Sequence, residues 1–179
     1  MAIRSLNGES PQIGNNVYVD DSAVLIGRVD IGDDSSIWPH VSARGDVNYI
    51  RIGMRTNVQD NTVLHVTHDG PYSPGGIPLV IGDDVTIGHQ CLLHACTIGN
   101  RCLIGMGATI MDGAVLEDDV FLAAGSLVSP RKHLKSGFLY KGSPAKRVRE
   151  LTDKELEMLR YSAAHYVRLK NRYLEGLDK

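Results

Sequence analysis

The chain has 179 residues, 42% apolar and 22% charged, with a formal net charge of −2, a balance that suits one domain and excludes two large ones. No stretch approaches the roughly 20 apolar residues of a bilayer span, and residues 1–14 lack the basic, apolar and small-residue succession of a signal peptide, so a cytoplasmic protein is expected. With 19 glycines against one Trp, seven Tyr and two Phe, the core must be built from Ile, Val and Leu with tight turns between them.

From the N-terminus, an aliphatic residue opens a unit every six positions at Ile13, Val19, Leu25, Ile31 and Ile37, and Ala43 follows in the same phase. A three-residue slip precedes Ile52, Val58 and Leu64. Past a loop the series resumes at Ile81, Ile87 and Leu93, shortens by one residue, and runs through Ile98, Ile104, Ile110, Leu116, Leu122 and Val128. A six-residue period belongs to neither a helix nor a simple strand. Hexapeptide repeats build a left-handed parallel β-helix, three repeats to each triangular coil. A mainly β fold is therefore predicted over residues 13–129, with residues one coil apart stacked at about 4.8 Å.

Residues 66–79 interrupt the series with three Pro and three Gly and should loop out from the prism. Cys91, Cys96 and Cys102 match neither a disulfide framework nor a CxxC motif and read as buried thiols. Residues 130–150 read as an irregular basic strap. Residues 151–175 read as a C-terminal helix, started by a Thr152/Glu155 capping box and a Leu151/Leu156 staple. Its apolar stripe, Leu156, Leu159, Ala163, Tyr166, Val167 and Tyr173, packs along the prism wall. All of 1–179 then forms a single domain.

Charge is uneven: residues 1–130 carry six Arg, no Lys and 15 acids (net −9), and residues 131–179 carry 13 bases and six acids (net +7). A basic tail docked on its own acidic body accounts for this. No stacking aromatics are interleaved with the bases, so no nucleic acid is expected as partner, and with no apolar span no membrane is expected either.

Among the seven histidines, His40, His133 and His165 read as structural. Leu64 and Leu93 share a column, and each is followed by a histidine, so His65 and His94 should project one above the other, close enough to share a metal. His89 lies in the neighbouring column. Three imidazoles on one metal therefore require His89 from a second subunit, as in a threefold trimer of parallel prisms. Zn2+ is the default for neutral imidazoles, with Fe2+ or Co2+ as alternatives. The same map sets an Arg44, His65, His94 edge against a Gln59, Asp60, His89 edge. His68 falls in the loop, exposed.

The segments ARGDVNYIRIGMRTNVQD, HVTH, IGHQCLLHACTIG and FLYKGSPAKRVREL together resemble the γ-class carbonic anhydrases and their hexapeptide-repeat relatives. The resemblance spans nearly the whole chain. It implies a homotrimer with metal between subunits and His65, His89 and His94 as ligands. It also implies Gln59 near the metal-bound solvent, Tyr140 near the site, and Arg44 in interfacial ion pairs with Asp46 and Asp60. The implied chemistry is reversible hydration of CO2 to bicarbonate by a metal-bound hydroxide, its water having a pKa of about 7, a magnitude taken from carbonic anhydrase itself.

The sequence departs from the family archetype where proton export is concerned. Val47 stands where the archetype has a glutamate, and the loop offers only Asp69 in place of an acidic shuttle. The candidate substitutes are His68, since an ordinary imidazole titrates near pH 6.5, and Tyr140, and either slow, buffer-dependent hydration or inactivity is expected. The rival readings are a CoA-linked hexapeptide acyltransferase or thioesterase, which needs one histidine base, and a metal-stabilised accessory trimer. The RGD tripeptide at Arg44 to Asp46 reads as an ion-pairing element rather than an adhesion motif.

Overall fold

The structure is a computed structural model that describes residues 2–177. It is a left-handed parallel β-solenoid closed by one C-terminal helix. Parallel pairing stacks the repeat-opening residues in three columns. Ile31, Ile52, Ile81, Ile98 and Leu116 form the first. Ile37, Val58, Ile87, Ile104 and Leu122 form the second, and Leu25, Ala43, Leu64, Leu93, Ile110 and Val128 the third. None of these side chains is more than 3% exposed. Only small and aliphatic groups fill so narrow a prism, which is why the chain is poor in aromatics.

The second column belongs to an eight-stranded sheet. The other two columns merge into one twelve-stranded sheet, because the strands Val24–Ile31 and Ser42–Ile52 run unbroken around a corner. The corner after the second column takes a left-handed residue in successive coils: His40, Asn61 and Gln90 adopt φ of 60°, 60° and 59°, and Gly107 follows below them. His40 is thus a turn residue. Cys91, Cys96 and Cys102 are free and buried, and burial pushes the Cys91 thiol up to about 11.

The segment read as an irregular strap is instead more solenoid. Leu134 and Tyr140 continue the six-residue spacing after Val128 and pair with Leu116 and Leu122. The strand Phe138–Lys141 then turns back on Lys146–Glu150 in an antiparallel hairpin. Lys132, His133 and Lys135 are exposed and hid the repeat, because only its opening positions need to be apolar.

The helix Asp153–Gly176 carries the Thr152/Glu155 capping box and lies over the eight-stranded sheet. Trp38 meets Tyr166 and Tyr173 edge-on at ring separations of 5.7 and 5.0 Å, and the Thr86 and Ser162 hydroxyls are 2.9 Å apart. Lys170 anchors the far end. Fully buried, its Nζ donates to the Asn16 carbonyl, to Asp34 Oδ1 and to Asn171 Oδ1. These bonds satisfy an ammonium that would otherwise be costly to bury.

The Lys170 bond, followed by one from Asn16, holds the Asp34 carboxyl below its ordinary range. A depressed carboxyl contributes stability that is complete above its unfolded pKa and is lost as pH falls through its folded value. Lys170→Met should cost about 2 kcal/mol in urea unfolding at neutral pH. The difference between wild type and variant should shrink below about pH 4 as Asp34 protonates. Equal stability at neutral pH would remove Lys170 as the helix anchor.

Candidate metal centre

The column register places Leu64 beside Leu93 and His65 beside His94. His65 Nδ1 and His94 Nε2 face one another at 3.1 Å. Each ring is held at its other nitrogen by a carboxylate: His65 Nε2 is 3.0 Å from Asp46 Oδ1, and His94 Nδ1 is 2.8 Å from Asp112 Oδ1.

Burial opposes the charge on both carboxylates, but hydrogen bonds outweigh it. His65 and Arg44 hold the Asp46 carboxyl below its usual range, and Thr67 and His94 do the same for Asp112. An ionised carboxylate only accepts hydrogen bonds, so each ring must turn an N–H toward it. In neutral rings the two nitrogens left facing each other both carry lone pairs. That contact has no hydrogen between its acceptors and calls for a cation.

The separation fits one. Two imidazole nitrogens on a tetrahedral zinc, each at about 2.05 Å, lie about 3.3 Å apart. Among the described residues, however, no three His, Cys, Asp or Glu side chains of one chain converge on a metal position. One chain offers a pair.

His89 stands at the corner after the second column. Its Nδ1 is 2.8 Å from Asp60 Oδ2, and among the described residues Nε2 has no partner. Gln59, beside Asp60, is 5% exposed, and its Nε2 donates to Asn57 Oδ1 at 3.0 Å; among the described residues no donor reaches its Oε1. Within one chain Arg44 pairs with Asp46, whereas Asp60 is taken by His89.

Two expected site residues are not brought to the histidines. Tyr140 is buried in the core below Leu122, where its hydroxyl accepts from the Lys135 amide at 2.8 Å. Three rungs separate its strand from that of Ile87, about 14 Å along the prism. The solenoid spacing that makes Tyr140 an inward plug overrides its motif assignment. His68 is exposed in the loop, and no hydrogen bond joins it to the pair.

Asp112 and Thr67 complete the arrangement, and sequence reading passed over both. Asp112 lies 18 positions after His94, one residue past the spacing of 17 that pairs Leu93 with Ile110 in the next coil. Thr67 bonds Asp112 and pairs through its backbone with Ile77, so the base of the loop is tied to the carboxylate that orients His94.

A stacked histidine pair, each ring oriented by a carboxylate, on a solenoid of hexapeptide repeats marks a hexapeptide-repeat β-helix protein with a candidate metal-binding pair. The family described as bacterial transferase hexapeptide (six repeats) matches residues 10–44 and 95–130. Protein YrdA of Escherichia coli (strain K12) is 58% identical over 92% of this chain and 90% of its own length. A carbonic anhydrase of Geobacillus kaustophilus is 40% identical over 96% of this chain and 90% of its own length. The crystal structure of a hexapeptide transferase family protein from Anaplasma phagocytophilum superposes with a TM-score of 0.89 at 44% identity, covering 96% of this chain and 98% of that one. The chain belongs to the γ-class carbonic anhydrase-like family of hexapeptide-repeat β-helix proteins.

The Arg44–Asp46 pair depends on the glycine between its members. A Cβ on Gly45 would sit 2.2 Å from the Arg28 carbonyl oxygen of the preceding coil. Gly45→Ala should therefore force the strands apart and lower stability by about 2 kcal/mol. An unchanged urea midpoint would show that this approach is not tight.

Proposed function

We propose that the protein is a homotrimeric, zinc-dependent carbonic anhydrase that interconverts CO2 and bicarbonate, with His65 and His94 of one subunit and His89 of the next as ligands. The observation that carries this reading is the 3.1 Å approach of two imidazole nitrogens whose protons are committed to Asp46 and Asp112. An acyltransferase needs one histidine base and has no use for two rings set nitrogen to nitrogen.

Zinc bound by three neutral imidazoles supplies a Lewis acid that makes water nucleophilic at neutral pH. The side chains of this chain do the rest. Asp46, Asp112 and Asp60 fix the orientation of the three rings, as carboxylates behind metal-binding histidines do. Gln59 presents an unoccupied carbonyl oxygen next to the His89 edge, where it can hold the proton of a reacting water. Val63 and Leu92 are stacked in register beside His65 and His94, 40% and 41% exposed. Val47 flanks the same edge, and Met106 lies on the His89 side. Burying these apolar groups between subunits stabilises the trimer and keeps bulk water from the site.

Proton export is the weak step, since Val47 is exposed and apolar and His68, the one imidazole of the loop, is exposed. His65→Ala, His89→Ala and His94→Ala should each strip zinc, as read by metal analysis of the purified protein, while His40→Ala retains it. Full zinc stoichiometry in any of the first three removes that residue from the ligand set.

Stopped-flow CO2 hydration by the zinc-loaded trimer is the functional test. The rate should rise with the concentration of an imidazole-like buffer, and Val47→Glu should raise turnover at low buffer. Absence of hydration in a fully loaded trimer would refute the proposed activity.

A further inference from the structure

The charge asymmetry of the chain divides further once the helix is in place. Residues 131–150 carry seven bases and one acid (net +6), and residues 151–179 carry six bases and five acids (net +1). Docking of the tail on the acidic body explains Lys170, which is buried against Asp34. The helix is otherwise nearly neutral, so the positive surplus sits in the segment that closes the C-terminal end of the prism.

In that segment Lys135 and Arg149 are paired with Glu117 and Glu155, and Arg147 lies over the Phe138 ring at 4.6 Å. Arg131, Lys132, Lys141 and Lys146 are all exposed, and among the described residues no carboxylate pairs with them. Glu150 and Asp153 are close in sequence and reduce this charge without cancelling it. The four free bases occupy the last rungs: Lys141 and Lys146 are opposite each other in the terminal hairpin, and Arg131 and Lys132 lead into the final strand of the adjoining sheet.

The form of this end narrows the partner. The outermost strand, Lys146–Glu150, is exposed throughout and its register slips against Leu139 and Tyr140. A bulged, basic edge discourages both strand addition and stacking of a second copy. Phe138 is covered by Arg147, so the hairpin offers no free ring for a nucleic-acid base. What remains is a blunt, cationic end with Val148 half exposed at its rim.

We propose that the C-terminal end of the prism docks on the surface of a lipid bilayer rich in anionic headgroups. The expectation of no membrane partner rested on the lack of a span. No helix among the described residues is long and apolar enough to cross a membrane, and peripheral contact needs none. The juxtaposition is independent of the metal site. In a trimer of parallel prisms three such ends face the same side, which multiplies the attraction.

The test is flotation of the full-length trimer with vesicles of phosphatidylcholine and with vesicles of equal parts phosphatidylcholine and phosphatidylglycerol. Binding should occur only to the second and should weaken steeply with salt. Combining Lys132→Gln, Lys141→Gln and Lys146→Gln should lower the partition coefficient by about a hundredfold or more, with the circular dichroism spectrum and trimer mass unchanged. A control carrying Arg160→Gln and Arg172→Gln on the helix should bind like wild type. Equal binding to both vesicles, none to the anionic ones at low salt, equal loss in the control, or displacement from vesicles by a single-stranded RNA oligonucleotide would overturn the proposal.

Discussion

The stacking of aliphatic side chains at one strand spacing governs everything else in this protein. Each coil must present its opening residue to the interior, so any residue one position later must project outward, directly over its counterpart in the next coil. Leu64 and Leu93 are fixed in this way by burial, and His65 and His94 inherit their positions without further choice. Two histidines 29 positions apart in the chain are thereby brought to ring contact by a hydrophobic constraint that involves neither of them.

Carboxylates turn that proximity into a donor set. Asp46 lies on the strand after Arg44, and Asp112 in the next coil after His94, one residue out of register; both stay ionised against their partial burial because histidine, Arg44 and Thr67 hydrogen-bond them. The same logic extends to His89 and Asp60. The incompleteness of the pair within one chain and the exposed apolar residues beside it both favour an arrangement finished by a neighbouring subunit. The fold and the placement of the histidine pair then follow from one geometric rule.

Much of this could be read from the sequence because a strict period converts position into place. The columns, the excluded loop and the stacking of His65 over His94 needed only the count of six. The terminal coil is hard to read because Leu134 and Tyr140 keep the phase but are embedded in basic residues. Tyr140 illustrates the conflict: the motif around it suggested a place at the site, but its phase put it inside, where the Lys135 amide satisfies its hydroxyl. Asp112 and Thr67 were missed for another reason. Their contacts cross coils diagonally, and vertical stacking alone does not show them.

In the proposed arrangement each metal is shared, with two ligands from one subunit and the third from its neighbour. The most direct measurement is zinc content in trimers reassembled from two defective chains, one carrying His89→Ala and the other His65→Ala with His94→Ala. Each alone should hold no zinc. Mixed trimers place an intact His65/His94 pair against an intact His89 at one interface, so the account predicts one zinc ion per mixed trimer. Mixed trimers without zinc, or zinc retained by either variant alone, would contradict it.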